Sequence, residues 1–528
     1  MARKRRKIAV ADCETDPFRK GRTDIKPFLW GFYDGEVYLE FKTVEEFINY
    51  VSQLNIILYA HNGGKFDWFF ILDYIEDFSS VTLINGRLAK FKIGNCEFRD
   101  SWNILPFPLA QYQKTKIDYD IMEREVRYKP ENWREIRAYL RDDCIYLFDL
   151  VSAFVERFGV NLTIAGTSMK TWAKMMEIDP PKTNRLFYYN LKPYYYGGRV
   201  ECFYNGIIER DFKVVDIKSA YPFAMLHYHP YGSKYYVSDE LPNTIAYLER
   251  SFINLSAASL GAFPYRDSDN SLYFPNDGET REFKITGWEY IAAIENGCLQ
   301  REEIKEVITF PETITFKEYI ERFFNERAEA KRRGDKKTDL FCKLLMNSLY
   351  GKFGANPDEY EDFYITNSKF IQAAINDGGR LAGILGNKAF IGIKQDDAQK
   401  RFYNVATAAS ITGFVRAYLF NAIKSSDTPL YCDTDSIAAI KPGPPIGDKL
   451  GDWESEGEFS EGAIAGKKLY AFKGKDGKWK SRSKGVKLTH EEIYKVAKGV
   501  PIKYEPIAPT FSLKRGIVLT PRTVKRTI

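Results

Sequence analysis

Histidine and cysteine are scarce in this chain, with 4 His and 7 Cys among 528 residues. The cysteines (Cys13, Cys96, Cys144, Cys202, Cys298, Cys342 and Cys432) are scattered, odd in number and never spaced Cys-x-x-Cys. That argues against a structural zinc site and reads as buried free thiols in a reducing cytosol. No apolar run approaches the ~20 residues of a membrane span. The basic stretch from Arg3 to Lys7 leads into an apolar run that Asp12 interrupts, so no signal peptide is read there. That stretch either keeps the terminus soluble or touches nucleic acid. Neither sign of charge dominates: 77 Lys and Arg face 71 Asp and Glu, for a net +6. So mild an excess fits a polyanionic partner only where the basic residues cluster.

What is present is length and aromatic surface. A chain of 528 residues is too long for one core, and two to four domains are expected. Composition is that of a globular protein, 44% hydrophobic and 28% charged, with 35 Tyr and 38 Phe to serve both cores and stacking surfaces.

The stretch Leu430-Tyr431-Cys432-Asp433-Thr434-Asp435-Ser436-Ile437 sets an acidic tip between two apolar runs and reads as strand, tight turn and strand. Two neighbouring carboxylates repel each other and fill no core, which points to a divalent cation. Taken alone, Asp-x-Asp is more often a solvated hairpin tip. The apolar run Phe212 to Val215 delivers Asp216 at its end, followed by a turn with backbone amides near Ser219 to Tyr221. Asp216 is the natural partner for the Asp433/Asp435 hairpin.

Near the amino terminus, Ile8 to Ala11 reads as a buried strand ending in Asp12-Cys13-Glu14. Residues i and i+2 of a strand share a face, so Asp12 and Glu14 present oxygens together. Leu54 to Tyr59 is a second strand, running into His61-Asn62-Gly63-Gly64-Lys65-Phe66-Asp67, after which Trp68 to Tyr74 reads as an apolar helix. Trp133 to Phe154 has helical periodicity and carries Tyr139 and Asp143 on one face. Asp12, Glu14, Asp67 and Asp143, separated by whole elements, form a pattern for two-metal hydrolysis of a phosphodiester, with Tyr139 placed to orient the water.

Tyr194-Tyr195-Tyr196-Gly197-Gly198-Arg199 is an aromatic, glycine and basic loop that suits a backbone-and-base contact on nucleic acid, or a packed turn. Phe316 to Arg333 and Leu340 to Lys352 read as a helical hairpin broken at Gly334-Asp335. On its second helix Lys343, Asn347 and Gly351 share a stripe, with Tyr350 beside it and Arg327 and Lys331 on the opposing helix. Such a stripe suits a nucleotide. Residues 358–402 look like an irregular insertion with Gly378-Gly379 and Gly383. Asn404 to Ala422 reads as a helix bearing Thr412 and Arg416. Lys467-Lys468-Leu469-Tyr470 reads as a strand whose Lys468 and Tyr470 share a face fit for the phosphate and sugar of a primer end. The carboxyl-terminal run is basic (Lys480, Arg482, Lys484, Lys487, Lys514, Arg515, Arg522, Lys525, Arg526), which favours a surface that tracks phosphates.

In this order the motifs resemble those of family B DNA polymerases, in particular the protein-primed branch of bacteriophages with linear genomes, tectivirus type. Asp12-Cys13-Glu14, the His61 to Asp67 segment with His61, Asn62 and Phe66, and Tyr139 with Asp143 resemble the three motifs of a 3′→5′ exonuclease. Ser101, within Asp100-Ser101-Trp102, resembles a single-strand contact. Tyr195, Gly197 and Gly198 are similar to the Tyr-x-Gly-Gly loop that coordinates the two active sites. Asp216 to Pro222 resembles the first palm motif, in which Tyr221 lies under the sugar and excludes a 2′-hydroxyl. Lys343 to Gly351 resembles the fingers motif, Thr412 to Arg416 a primer and template contact, Tyr431 to Ser436 (with Thr434) the second palm motif, and Lys468 to Tyr470 the Lys-x-Tyr motif. The exonuclease lysine of the family has only Lys116 and Lys129 as candidates.

The resemblance implies an α/β (α+β) architecture: a ribonuclease-H-like exonuclease domain, then a right-hand palm, fingers and thumb with two priming-specific insertions. The expected segments are 1–155 exonuclease, 156–227 linker and first palm part, 228–316 first insertion, 317–357 fingers, 358–402 second insertion, 403–465 second palm part and 466–528 thumb. It implies two Mg²⁺ per active site, with Mn²⁺ as a substitute, bound by Asp216 and Asp435 in one and by Asp12, Glu14, Asp67 and Asp143 in the other. Substrates and partners are template and primer DNA, dNTPs and a terminal protein. The polymerase would be a monomer or a heterodimer with that protein, in the cytoplasm of an infected host, with strand displacement. A family B polymerase that extends ordinary nucleic-acid primers is the alternative.

Overall fold

The structure, a computed structural model, describes residues 6–76, 80–180, 182–256, 260–357, 361–385, 387–394, 404–513 and 515–527. Most of the basic stretch from Arg3 to Lys7, Lys514 of the basic tail, and residues 358–360, 386 and 395–402 of the second expected insertion lie outside them. Among the described residues no helix is long and apolar enough to cross a membrane.

The first unit is a seven-stranded mixed sheet. Its strand order is Tyr38–Phe41, Pro27–Tyr33, Lys7–Thr15, Ile56–Ala60, Cys96–Asp100, Arg87–Ile93 and Thr82–Ile84. Lys7–Thr15, Ile56–Ala60 and Cys96–Asp100 run parallel, so their carboxyl ends gather at one edge. The central Ile56–Ala60 strand is apolar throughout because both faces are covered. The Pro130–Phe158 helix packs Ile136, Leu140, Leu147 and Val151 against the sheet. It starts with Pro at the first helical position and stops at Gly159, whose φ of 77° is one that glycine adopts without strain.

The second large sheet is antiparallel, with strand order Trp479–Ser483, Leu469–Gly474, Trp453–Gly466, Phe212–Ile217, Ser436–Lys441, Asp427–Asp433 and Val200–Cys202; Gly206–Ile208 also pairs with Trp453–Gly466. The Val405–Ser425 helix lies among core residues and is buried on nearly every face. The helices Lys317–Arg333 and Lys336–Phe353 form the expected hairpin, closed by Gly334.

Between Phe212–Ile217 and Asp427–Asp433 in the sequence comes a four-stranded sheet of Tyr236–Ser238, Leu299–Thr309, Tyr247–Leu255 and Thr280–Thr286, with the Gly287–Glu295 helix on it. The later stretch that reads as irregular instead forms a three-stranded antiparallel sheet of Glu361–Asn367, Lys388–Lys394 and Arg380–Leu385, with an Ile371–Asn376 helix. Its strands are short and rich in Ile and Phe, and their pairing hides them from local pattern. At the carboxyl end two small two-stranded antiparallel sheets follow the His490–Ala497 helix, and Phe511 of one packs its ring 5.0 Å from Phe66 of the first unit. All seven cysteines are free; six are buried, and Cys202 is half-buried rather than buried.

Candidate active sites

Four carboxylates converge at the edge where the parallel strands end. Asp12 and Glu14 leave Lys7–Thr15 on one face, and Asp143 and Tyr139 face in from the Pro130–Phe158 helix. Asp67 opens the expected apolar helix, which is a 3₁₀ helix, Asp67–Tyr74. The preceding turn needs Gly64, because a Cβ there would run into the Leu88 carbonyl. Glu14, Asp67 and Asp143 are buried, and Asp12 is half-buried. Burial first, and then the charges of Asp67, Asp143 and Glu14, raise Asp12 well above the usual carboxylate range. Burial and Asp143 push Glu14 up to about 8. Burial pushes Asp67 up to about 7, and it raises Asp143 against the pull of Lys114.

The Oδ1 atoms of Asp67 and Asp143 are buried without a hydrogen-bond partner. Desolvated acceptors in an all-carboxylate cluster suit a hard divalent cation. Among the described residues no three His, Cys, Asp or Glu side chains stand at chelating spacing.

The ammonium in this pocket belongs to Lys114, whose Nζ lies 3.0 Å from Asp143 Oδ2 and 5.1 Å from the Tyr139 ring centre. It corrects the two lysine candidates. Lys114, not Lys116, makes the ion pair with Asp143, and Lys129 sits at the helix N-terminus, roughly 21 Å along the axis from Asp143. Lys114 lies in a loop without periodicity, so no pattern aims it. Tyr139 shares a 3.0 Å hydroxyl contact with Tyr119.

Around the pocket, His61 bridges Ser101 Oγ at 3.0 Å and the Phe107 carbonyl at 2.8 Å. Ser101 is fully buried, so it supports His61 rather than touching DNA itself, contrary to expectation. Asn62 takes a left-handed backbone and accepts from Arg87, which also pairs with buried Asp100 at 2.7 Å. Phe66 is half-buried among Phe18, Phe70 and Phe511.

The second pocket lies on the antiparallel sheet. Asp216 stands opposite Ser436 on one neighbouring strand and Glu454 on the other. Asp433 ends its strand, Thr434 takes a φ of 64°, and the Asp435 carbonyl accepts from Ile217 N at 2.8 Å. Asp216, Asp433 and Asp435 thus line one cavity of about 740 Å³ together with Glu456, Lys480 and Arg482. Burial and the charge of Asp435 push Asp216 up to about 8. Burial and Asp433 push Asp435 up to about 6. Lys468 Nζ lies 2.6 Å from Asp433 Oδ1, which leaves Asp216 and Asp435 as the pair that lacks a cation. Glu456 is the residue that sequence reasoning missed. It gains its meaning only when Trp453–Gly466 pairs beside Asp216.

Tyr221 stacks on Tyr350 with centroids 4.3 Å apart and planes at 12°. Ser219, in a left-handed conformation, opens the short helix that carries Tyr221. On the second hairpin helix Lys343 and Asn347 are exposed, and a Cβ at Gly351 would meet nothing within 4 Å. Lys331 is exposed on the opposing helix; none of Lys331, Lys343 and Asn347 lines the carboxylate cavity. Tyr195, Gly197 and Gly351 border a separate groove of about 1180 Å³ with Arg266, Lys192 and Lys284. Gly198 has no room for a side chain, because a Cβ would lie 2.8 Å from Thr434.

Three expected DNA contacts are corrected besides Ser101, and a fourth, Lys468, is placed differently. Thr412 is buried and bonds the Ala409 carbonyl. Arg416 is 1% exposed, and its Nε and Nη1 are bonded to protein groups, because the Gly287–Glu295 helix packs over it. Tyr431 is buried, its hydroxyl accepting from Lys468 N at 2.9 Å. Lys468 sits in the turn before Leu469–Gly474, not in a strand, and its ammonium serves Asp433. Tyr470 is mostly buried but reaches the cavity wall.

A family profile described as DNA polymerase type B, organellar and viral, matches residues 106–382. The chain is 36% identical over 559 aligned positions to the DNA-directed DNA polymerase of Enterobacteria phage PRD1, covering 99% of this chain and 98% of that one. It is 24% identical over 514 positions to the DNA polymerase of Bacillus phage phi29, covering 85% and 84% of the two chains. The solved structure of phi29 DNA polymerase with primer-template DNA and incoming nucleotide shares its fold, with a TM-score of 0.75 at 19% identity over 99% of this chain and 100% of that one. The Asp216–Asp435 pocket and the extent of these matches lead to one assignment: the chain belongs to the type B DNA polymerases of the organellar and viral group.

Proposed function

We propose that this DNA-directed DNA polymerase trims its own product with a 3′→5′ exonuclease and starts synthesis on a hydroxyl of a terminal protein. The observation that carries the reading is the presence of two separate carboxylate pockets, one on each large sheet. Asp216 and Asp435 would hold Mg²⁺, or Mn²⁺ in its place, in the synthetic pocket, and Asp12, Glu14, Asp67 and Asp143 would hold it in the trimming pocket. Ions bound there lower the pKa of the attacking oxygen and stabilise the leaving one.

The chain's own groups do the rest. Lys468 neutralises Asp433 and keeps it from competing with Asp216 and Asp435. The stacked Tyr221 and Tyr350 give the sugar a flat floor with no space for a 2′-hydroxyl. Lys343 and Asn347 meet the incoming triphosphate, and the basic wall of Lys480 and Arg482 follows the primer phosphates. In the trimming pocket Lys114 balances Asp143, and Tyr139 orients the water. The two sheet-bearing insertions would engage the terminal protein and the displaced strand.

Asp435→Asn should abolish extension and spare digestion of single strands, and Asp12→Ala with Asp67→Ala should do the reverse. Retained extension by Asp435→Asn would refute the assignment. Labelled dNTP, Mg²⁺ and candidate terminal protein test the priming mode. Covalent label on that protein supports it, and extension restricted to nucleic-acid primers favours the ordinary-primer alternative.

A further inference from the structure

The sheet of the first insertion reaches the synthetic pocket through two arginines shielded from water. Arg416, on the Val405–Ser425 helix, donates from Nε to Glu289 at 2.7 Å and from Nη1 to the Tyr196 and Gly197 carbonyls at 2.8 and 2.9 Å. Both members of the Glu289–Arg416 pair have side chains only 1% exposed. The other Glu289 oxygen accepts from the Thr286 amide and hydroxyl, so it is fixed by the start of its own helix. The two helices meet at Gly413, where any Cβ would collide with Thr286 Oγ1. Arg199, three residues beyond Tyr196, is fully buried; it donates to the Gly261 carbonyl at 2.7 Å and lies 4.2 Å from the Phe274 ring centre. Its own carbonyl accepts from Thr434 N at 2.7 Å.

The loop from Tyr196 to Arg199 is therefore gripped by the insertion on one side and grips the Asp433-Thr434-Asp435 turn on the other. A buried ion pair is a poor way to gain stability, since packed apolar groups of the same volume do as well. A guanidinium fork does something those groups do not: it fixes two carbonyls relative to a carboxylate. We propose that Glu289, Arg416 and Arg199 are positioning residues for nucleotide transfer, holding the Tyr-Gly-Gly loop so that Thr434 presents Asp435 beside Asp216. The proposal rests on the reading of that pocket as the synthetic site.

Arg416→Lys keeps a charge opposite Glu289 but loses the fork, and Glu289→Gln keeps the acceptor but loses the charge. For each full-length variant the experiment measures melting, kcat and KM for dNTP in primer extension, and digestion of single-stranded DNA. Arg416→Lys is expected to lower kcat for extension about tenfold, the scale of a small misplacement of reacting groups. KM for dNTP and the digestion rate should stay within about twofold, as for a site remote from both. Glu289→Gln should fall between the two enzymes. Wild-type kcat in Arg416→Lys overturns the proposal, and so does a parallel fall in extension and digestion, which marks a general loss of fold. If Arg416→Lys does not fold, Glu289→Gln decides: a loss confined to extension supports the proposal and an unchanged kcat overturns it. A wild-type protein that extends no primer removes the synthetic reading itself, which is a separate outcome.

Discussion

Asp12, Glu14, Asp67 and Asp143 meet inside one sheet-and-helix unit and are mostly buried, while Asp216 and Asp435 meet only because two strands distant in sequence pair side by side at an open, basic cavity. The first pocket has one ammonium, Lys114, for four carboxylates and leaves two oxygens without partners. The second pairs two of its four carboxylates, Asp433 with Lys468 and Glu456 with Lys480. Both raise carboxylates above their usual range, but the first does so mainly by burial and repulsion among its members, the second by burial and one close pair. The deeper pocket should accordingly depend more on its single lysine, and the open one more on the aromatic and basic groups around it.

Lys114→Ala tests the first half of that contrast. Digestion of single strands should fall about 100-fold, the scale of losing one electrostatic stabiliser, with extension unchanged. Equal activity of variant and wild type in digestion would remove Lys114 from the site. Tyr221→Val tests the second half: discrimination against ribonucleotides should weaken by roughly tenfold, because a steric floor is removed without touching the carboxylates. Unchanged sugar selectivity would take Tyr221 out of that role.

The smallest effect concerns stability. Glu14 and Asp216 are raised to about 8, Asp67 to about 7 and Asp435 to about 6 in the fold. A carboxyl raised on folding contributes stability that is full below its unfolded pKa of about 4 and is lost as pH climbs through the folded value. In EDTA the melting temperature should therefore fall between about pH 5 and pH 8, and Mg²⁺ should restore most at the alkaline end. Asp67→Asn and Asp216→Asn should each flatten the fall by about 2 °C. A flat or rising profile in EDTA for the wild type would contradict the burial argument for both pockets.

The acidic motifs were legible because strand alternation and helical spacing are local. Asp12 with Glu14, and Tyr139 with Asp143, could be put on shared faces from spacing alone, and the Asp433–Asp435 turn from its flanking apolar runs. What escaped was set by distant packing. Arg416 and Thr412 look like free polar groups on a helix until the Gly287–Glu295 helix packs against theirs. Ser101 looks exposed until His61 closes over it. Lys114 sits in an aperiodic loop that only its hydrogen bond to Asp143 orients, and the sheet of residues 361–394 depends on pairing between short strands.

Titration with Mn²⁺, followed by water-proton relaxation, tests the two-pocket account most directly. Wild-type protein should bind two independent sets of ions, with Asp435→Asn losing one set and Asp67→Asn the other. Loss of all binding in either variant, or full binding in both, would contradict it.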